Sequence, residues 1–138
     1  ALKKYFKKMN PEQQEAILET KLQSGFPVIV AETNGEVVGF GMYAEFRFRE
    51  AYKFTVEHSV YVSHNHQGLG IGKLLLTELI QLAKQQGLHT MIGVIDSENQ
   101  KSIDFHHQFG FKTVGIIKES GFKFNRWLDS VFVQLILK

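Results

Sequence analysis

The chain contains no cysteine. Disulfides, thiolate-held metals and a cysteine nucleophile are therefore excluded, and the lack is compatible with a reducing cytoplasm. Proline is scarce, with only Pro11 and Pro27, and no linker, internal repeat or low-complexity tract interrupts the 138 residues. No apolar run approaches the roughly 20 residues of a membrane-spanning helix. The opening ALKKYFKKMN has neither the apolar centre nor the cleavage site of a signal peptide. No membrane partner is expected. Net charge is small, +2 with histidine neutral. It gives no ground for a nucleic-acid partner, although a local basic patch could still hold an anion.

Hydrophobic residues make up 43% and charged residues 22% of the chain, and phenylalanine occurs 12 times. This is the composition of a globular protein, and the length suits one domain, 1–138, with a real core. Asn10-Pro11-Glu12 reads as a helix start that runs to about Gly25. Residues 27–33 and 36–46 read as a hairpin about Asn34-Gly35, and 54–63 as a third strand. Leu74, Leu75, Leu79, Ile80, Leu82 and Ala83 fall at helical spacing within 70–86, a helix stopped by Gly87. A short apolar strand at 91–96 follows, then a helix from Glu98 to Phe109 capped by Ser97 or a neighbour. Strands at 111–120 and 130–137 close the chain. The order describes an α/β protein with a mixed sheet and flanking helices.

The segment Gln67-Gly68-Leu69-Gly70-Ile71-Gly72-Lys73 stands where a strand gives way to a helix. A helix start has unpartnered N–H groups and the positive end of the dipole, and glycines let an anion approach them. The segment is a candidate pyrophosphate cradle, with Lys73 adding a cation. It is not a Walker A loop, and its G-x-G-x-G spacing is not the dinucleotide G-x-G-x-x-G. Taken alone, the glycines could equally make nothing more than a tight turn.

In context they resemble motif A of the GNAT superfamily of N-acetyltransferases, Arg/Gln-x-x-Gly-x-Gly/Ala, with Gln67, Gly70 and Gly72 at the defining positions. The resemblance is closer still to its phosphinothricin and methionine sulfone/sulfoximine acetyltransferase group. Residues 55–62, TVEHSVYV, and 123–129, KFNRWLD, carry the more specific marks. It implies the GNAT fold: a mixed, mostly antiparallel, twisted sheet with a splayed central strand pair and flanking helices. A further N-terminal strand and its helix, usual in the family, have no counterpart in this reading. It also implies acetyl-CoA as co-substrate and no metal. The pyrophosphate would lie on residues 67–73. Val60, Tyr61 and Val62 would offer backbone groups to the pantetheine and thioester, with the Val62 N–H on the thioester carbonyl. Asn99 and, more weakly, Ser102 would complete the cofactor contacts.

Acetyl transfer to an amine needs a proton acceptor, and the resemblance gives that role to Glu57. Strand parity alone leaves Glu57 either catalytic or an outward-facing surface residue. The resemblance likewise places His106 as proton donor to the leaving thiolate, with His107 on the helix surface. Arg47 and Arg49 could clamp a substrate carboxylate, with Phe48 and Tyr52 as walls, or could be a solvated basic loop. His58 and Ser59 could touch the substrate beside Glu57. Lys123, Arg126 and Trp127 fall in the loop between the last strands, where they could shape the pocket or a subunit contact. His64 and His66 invite a metal reading, but no third ligand is placed by the sequence.

The expected function is transfer of an acetyl group to the α-amino group of a small amino-acid-like substrate by a cytoplasmic homodimer. Two other functions remain open from the sequence. One is the same chemistry on a polyamine, an aminoglycoside or a protein N-terminus. The other is an acyl-CoA-binding module without turnover.

Overall fold

The computed structural model describes Leu2–Lys3 and residues 26–138. The helix read at Asn10–Gly25 lies outside the described residues. Among the described residues, seven strands form one sheet in the order β1-β2-β3-β4-β5-β7-β6. They are β1 (Leu2–Lys3), β2 (Val28–Thr33), β3 (Glu36–Glu45), β4 (Thr55–Val62), β5 (Thr90–Asp96), β6 (Lys112–Lys123) and β7 (Arg126–Ile136). Two helices, α1 (Ile71–Gln85) and α2 (Gln100–Gln108), connect β4 to β5 and β5 to β6. The two-residue β1 pairs with Ala31 and Val30 on the outer edge of β2, a strand the sequence did not suggest.

The β2–β3 hairpin turns at Asn34 and Gly35, both at positive φ (52° and 79°), as an Asn-Gly pair allows. Every neighbouring pair is antiparallel except β4–β5. That parallel pair has three partners only: Thr55↔Thr90, Val56↔Met91 and Glu57↔Ile92. Beyond Glu57 the strands part. β4 runs on to Val62 along β3, and β5 runs on to Asp96 along β7. This is the splayed pair that the resemblance implied, and it leaves a gap through the sheet.

Leu75, Leu76, Leu79, Ile80 and Ala83 form the buried face of α1. They join Ile29, Val38, Tyr43, Val56 and Met91 in the main core. Leu74, read as part of that face, is 54% exposed, because it lies one position off the stripe. Gly41 brings the helix close: a Cβ there would stand 3.0 Å from Leu79 Cδ1. Leu79 is fully buried, and truncating such a leucine to alanine removes about 2–5 kcal/mol.

The last hairpin is longer than the sequence suggested. β6 and β7 extend to Lys123 and Arg126 around a two-residue turn, Phe124-Asn125, with φ of 54° and 57°. Lys123, Arg126 and Trp127 are therefore strand residues, not loop residues. The turn was missed because it has no glycine, although Asn125 tolerates the left-handed conformation. A bulge between Ile117 and Gly121 places Glu119 at φ 52°, with its N–H donating to Asp129 Oδ1 at 2.9 Å.

Candidate active site

At the N-terminus of α1, Gly70 is the cap residue, with φ 82° and no side-chain cap. Gly68 is also left-handed, φ 80°. The first helical bond runs from Leu74 N–H to Gly70 O at 3.1 Å. The amides of Ile71, Gly72 and Lys73 thus precede the first helical bond and point out of the helix end. Gly72 matters differently. A Cβ there would meet Phe105 Cζ at 3.6 Å and Val62 Cγ2 at 3.7 Å, so a longer side chain would enter the cleft that both residues line. Uncapped amides, a nearby lysine and a surface free of side chains suit a diphosphate.

This cleft holds about 630 Å³. Of the expected cofactor residues it gathers Val60, Val62, Gln67, Gly68, Gly70 and Ile71. Gly72, Lys73, Asn99 and Ser102 complete that set. Tyr61 and Leu69 are not in its wall. Tyr61 points to the other side of β4 and stacks on Phe40 at 5.5 Å between ring centroids, and Leu69 is 69% exposed at the tip of the turn. The sequence reading missed His66, Lys101, Phe105, Gln108 and Phe109, which also line it. Four of these recur from 101 to 109 at helical spacing and form one face of α2 and its end, a period that could have shown them.

A second cleft, about 240 Å³, lies in the gap between β4 and β5. Glu57, His58, Ser59 and Val60 from β4 line it, with Asp96 at the end of β5. Successive strand residues point to opposite faces, so both faces of β4 reach this cleft only because the sheet is open here. Val60, Asn99, Ser102 and His106 line both clefts and make them one continuous site. Asn99, not Ser97, caps α2: its Oδ1 accepts from Ser102 N–H at 3.1 Å.

Glu57 is half-buried, and burial pushes its carboxyl pKa up. His58 and His106 are both buried. His58 Nδ1–H donates to Ile92 O at 3.0 Å, and His106 Nδ1–H donates to Ser102 O at 2.8 Å. The two Nε2 atoms face each other at 2.9 Å. Burial above all, then the charge of His106, pushes His58 down to about 4. Burial also lowers His106, against the raising effect of the Ser102 carbonyl. His107 lies outside the site and contacts Thr113 Oγ1 at 2.9 Å.

Arg47, Phe48 and Arg49 lie in the exposed loop before a short 3-10 turn (Glu50–Tyr52), and none lines either cleft. The Arg47 guanidinium stands 5.1 Å over the Tyr52 ring. His64 and His66 lie in a second 3-10 turn, where His66 Nδ1 contacts Ser63 Oγ at 2.6 Å. Among the described residues, no three potential metal ligands gather.

A nucleotide-sized cleft on a glycine cradle, opening through a parted sheet onto a half-buried carboxylate, defines a coenzyme-dependent group-transfer site. The sequence model of the acetyltransferase (GNAT) family matches residues 2–111, and the chain belongs to that family. It is 41% identical, over 94% of its length and 75% of the relative's, to an L-methionine sulfoximine/L-methionine sulfone acetyltransferase of Salmonella typhimurium. Among solved structures, it resembles a ribosomal-protein-alanine N-acetyltransferase from Brucella melitensis, with TM-score 0.86 and 43% identity over 94% of this chain and 80% of that one. It also resembles a GNAT superfamily phosphinothricin acetyltransferase from Sinorhizobium meliloti in complex with acetyl-CoA. There the TM-score is 0.84, with 38% identity over 97% of this chain and 74% of that one.

Proposed function

We propose that the protein transfers the acetyl group of acetyl-CoA to the α-amino group of a small amino-acid-like substrate, of the phosphinothricin, methionine sulfone or methionine sulfoximine type. One observation carries this reading: the anion cradle at 67–73 and the half-buried Glu57 line two clefts that meet at Val60, Asn99, Ser102 and His106. The amides at the start of α1, with Gln67, Gly68 and Lys73, hold the pyrophosphate. Val60 and Val62, the Tyr61 backbone, Asn99 and Ser102 line the path of the pantetheine, and Leu69 forms an outer rim. The Asn99 Oδ1 is used by the cap, so its Nδ2 hydrogens are left for a ligand acceptor.

An ammonium group cannot attack a thioester until it loses a proton. Glu57 takes that proton, directly or through water, and its raised pKa improves the match to an amine near neutral pH. The amine nitrogen bonds to the acyl carbon, the C–S bond breaks, and the proton that the nitrogen sheds on becoming an amide reaches the departing thiolate by way of His106. Ser59 and His58 bound the acceptor side, and Arg47, Phe48 and Arg49 form its outer approach. The protein works in the cytoplasm, alongside its co-substrate.

The β6–β7 hairpin carries Ile116, Ile117, Phe122 and Trp127 at 52–62% exposure, with Phe124 at 80%. Such a patch on an edge strand suits a second copy of the chain, and sedimentation should report a dimer that Trp127→Glu dissociates.

The test is CoA release with a panel of acceptors: methionine sulfone, methionine sulfoximine, phosphinothricin, spermidine, an aminoglycoside and a peptide with N-terminal alanine. Turnover with the first three supports the reading. Preference for the peptide would assign the protein-N-terminus reaction, on an alanine as in the name of the Brucella neighbour, a ribosomal-protein-alanine N-acetyltransferase. Acetyl-CoA binding without turnover on any amine would favour a binding module.

A further inference from the structure

His58 has a role in the site that substrate contact does not describe. Its ring comes from β4 and meets that of His106 from α2, 48 residues away in sequence. A carbonyl oxygen only accepts hydrogen bonds, so each Nδ1, facing Ile92 O or Ser102 O, carries a hydrogen. A neutral imidazole has one N–H. If both rings were neutral, two Nε2 lone pairs would face each other at 2.9 Å. One more proton between them turns that repulsion into an N–H···N bond. Three hydrogens then satisfy four nitrogens, and the pair carries a single positive charge.

The surroundings suit such a cation. Phe111 stands 5.3 Å from each histidine ring, and Phe105 stands 5.4 Å from His106, between centroids. Aromatic rings attract a delocalised cation, and carbonyls hold it at both ends. The position is also built: a Cβ on Gly93 of β5 would lie 2.8 Å from His58 Cε1, so the ring occupies space that a side chain there would claim. Burial disfavours charge on either ring taken singly. Sharing spreads that charge and hydrogen-bonds it, while burial and like-charge repulsion oppose a second proton.

We propose that His58 is a positioning residue for His106, and that the two rings hold one proton between their Nε2 atoms, giving the wall common to both clefts a positive charge. The catalytic consequence rests on the acetyl-transfer reading: the charge stands beside the departing thiolate and keeps His106 in its Nδ1–H form. The titratable groups that share the clefts with the pair are Glu57 on β4, Asp96 on β5, Lys73 on α1 and Lys101 on α2. His107 on α2 adds a like charge beside His106, and Asp104 on α2 accepts a hydrogen bond from Gln100. Lys112 opens β6, and from β7 the uncharged Val133 lies 3.0 Å from where a Cβ on Gly93 would stand.

The test is nitrogen-15 NMR of the histidine rings in the intact chain, from about pH 5 to 9, the range where imidazoles titrate. At pH 7 both Nδ1 atoms should be protonated, and both Nε2 atoms should share one proton. A bare Nδ1 on either ring, or a neutral pair, overturns the proposal. This readout needs no turnover, so it stands or falls apart from the acetyl-transfer reading. In the enzyme assay, His58→Asn and His58→Phe should move the alkaline limb of kcat to lower pH, because a lone buried His106 loses its proton sooner. Acetyl-CoA affinity should stay within twofold. A uniform drop in kcat with an unmoved limb would overturn the role. If neither variant folds, the spectrum of the native chain decides alone.

Discussion

The two sides of the gap in the sheet are made of different material. On one side, the turn 67–73 presents main-chain amides and three glycines, with Gln67 and Lys73 beside them. On the other, Glu57, His58 and His106 are side chains whose pKa values burial shifts, up for the carboxyl and down for each histidine taken singly. Peptide dipoles do not titrate between pH 4 and pH 9, so the main-chain part of the hold on a diphosphate changes with pH only through the ligand. Carboxyl and imidazole groups do titrate, and burial decides where. Binding and proton transfer are therefore separable by mutation.

The largest break in this contrast should come from Glu57→Gln. It keeps shape and removes the base, so kcat should fall about 10²-fold or more while acetyl-CoA affinity, measured by calorimetry, holds within twofold. An equal loss of both would make Glu57 a packing residue. Gly72→Leu should do the reverse. The side chain would enter the cleft beside Phe105 and Val62, weakening acetyl-CoA by about tenfold, or roughly 1.4 kcal/mol, with less effect on saturated turnover.

Unfolding followed against pH sharpens the same contrast. A second proton on the His58–His106 pair falls to His58, which binds it near its ordinary 6.5 when unfolded but only near about 4 in the fold. Between those values the unfolded chain holds more protons, so stability should fall as pH drops through that window. Glu57 acts oppositely. Its raised pKa favours folding below the unfolded carboxyl value, and that contribution is lost as pH rises through the folded one. His58→Phe should flatten the acid slope, and Gly72→Leu should leave it. The smallest effect is expected from Leu69→Ser at the exposed rim, with KM for acetyl-CoA within twofold of the parent.

The cradle was legible because glycine spacing before an amphipathic run is a local signal, and the local order of its residues survives folding. The β4–β5 gap followed only from the family resemblance, since loss of pairing is a relation between strands 35 residues apart in register. Glu57 could be named as a candidate, but strand parity could not say that the face it occupies opens into a cleft. His58 shares parity with Val56 and Val60, a hint that it points inward. Its partner on α2 could not be read from either segment alone. The α2 face was missed although its period was visible, because Phe105 and Phe109 are apolar and a face packed on the core shows the same period. The Phe-Asn hairpin turn was missed for want of a glycine.

The three-rung seam between β4 and β5 has a mechanical consequence. A parted sheet is a zipper left half open, with main-chain groups on facing edges and no strand to satisfy them. Any slender ligand bringing its own amides can act as the absent strand and stitch the halves together. Amide hydrogen exchange in residues 58–62 and 93–96 should then slow sharply on loading, more than in the distant β2–β3 hairpin, so the co-substrate would become part of the framework it reacts in.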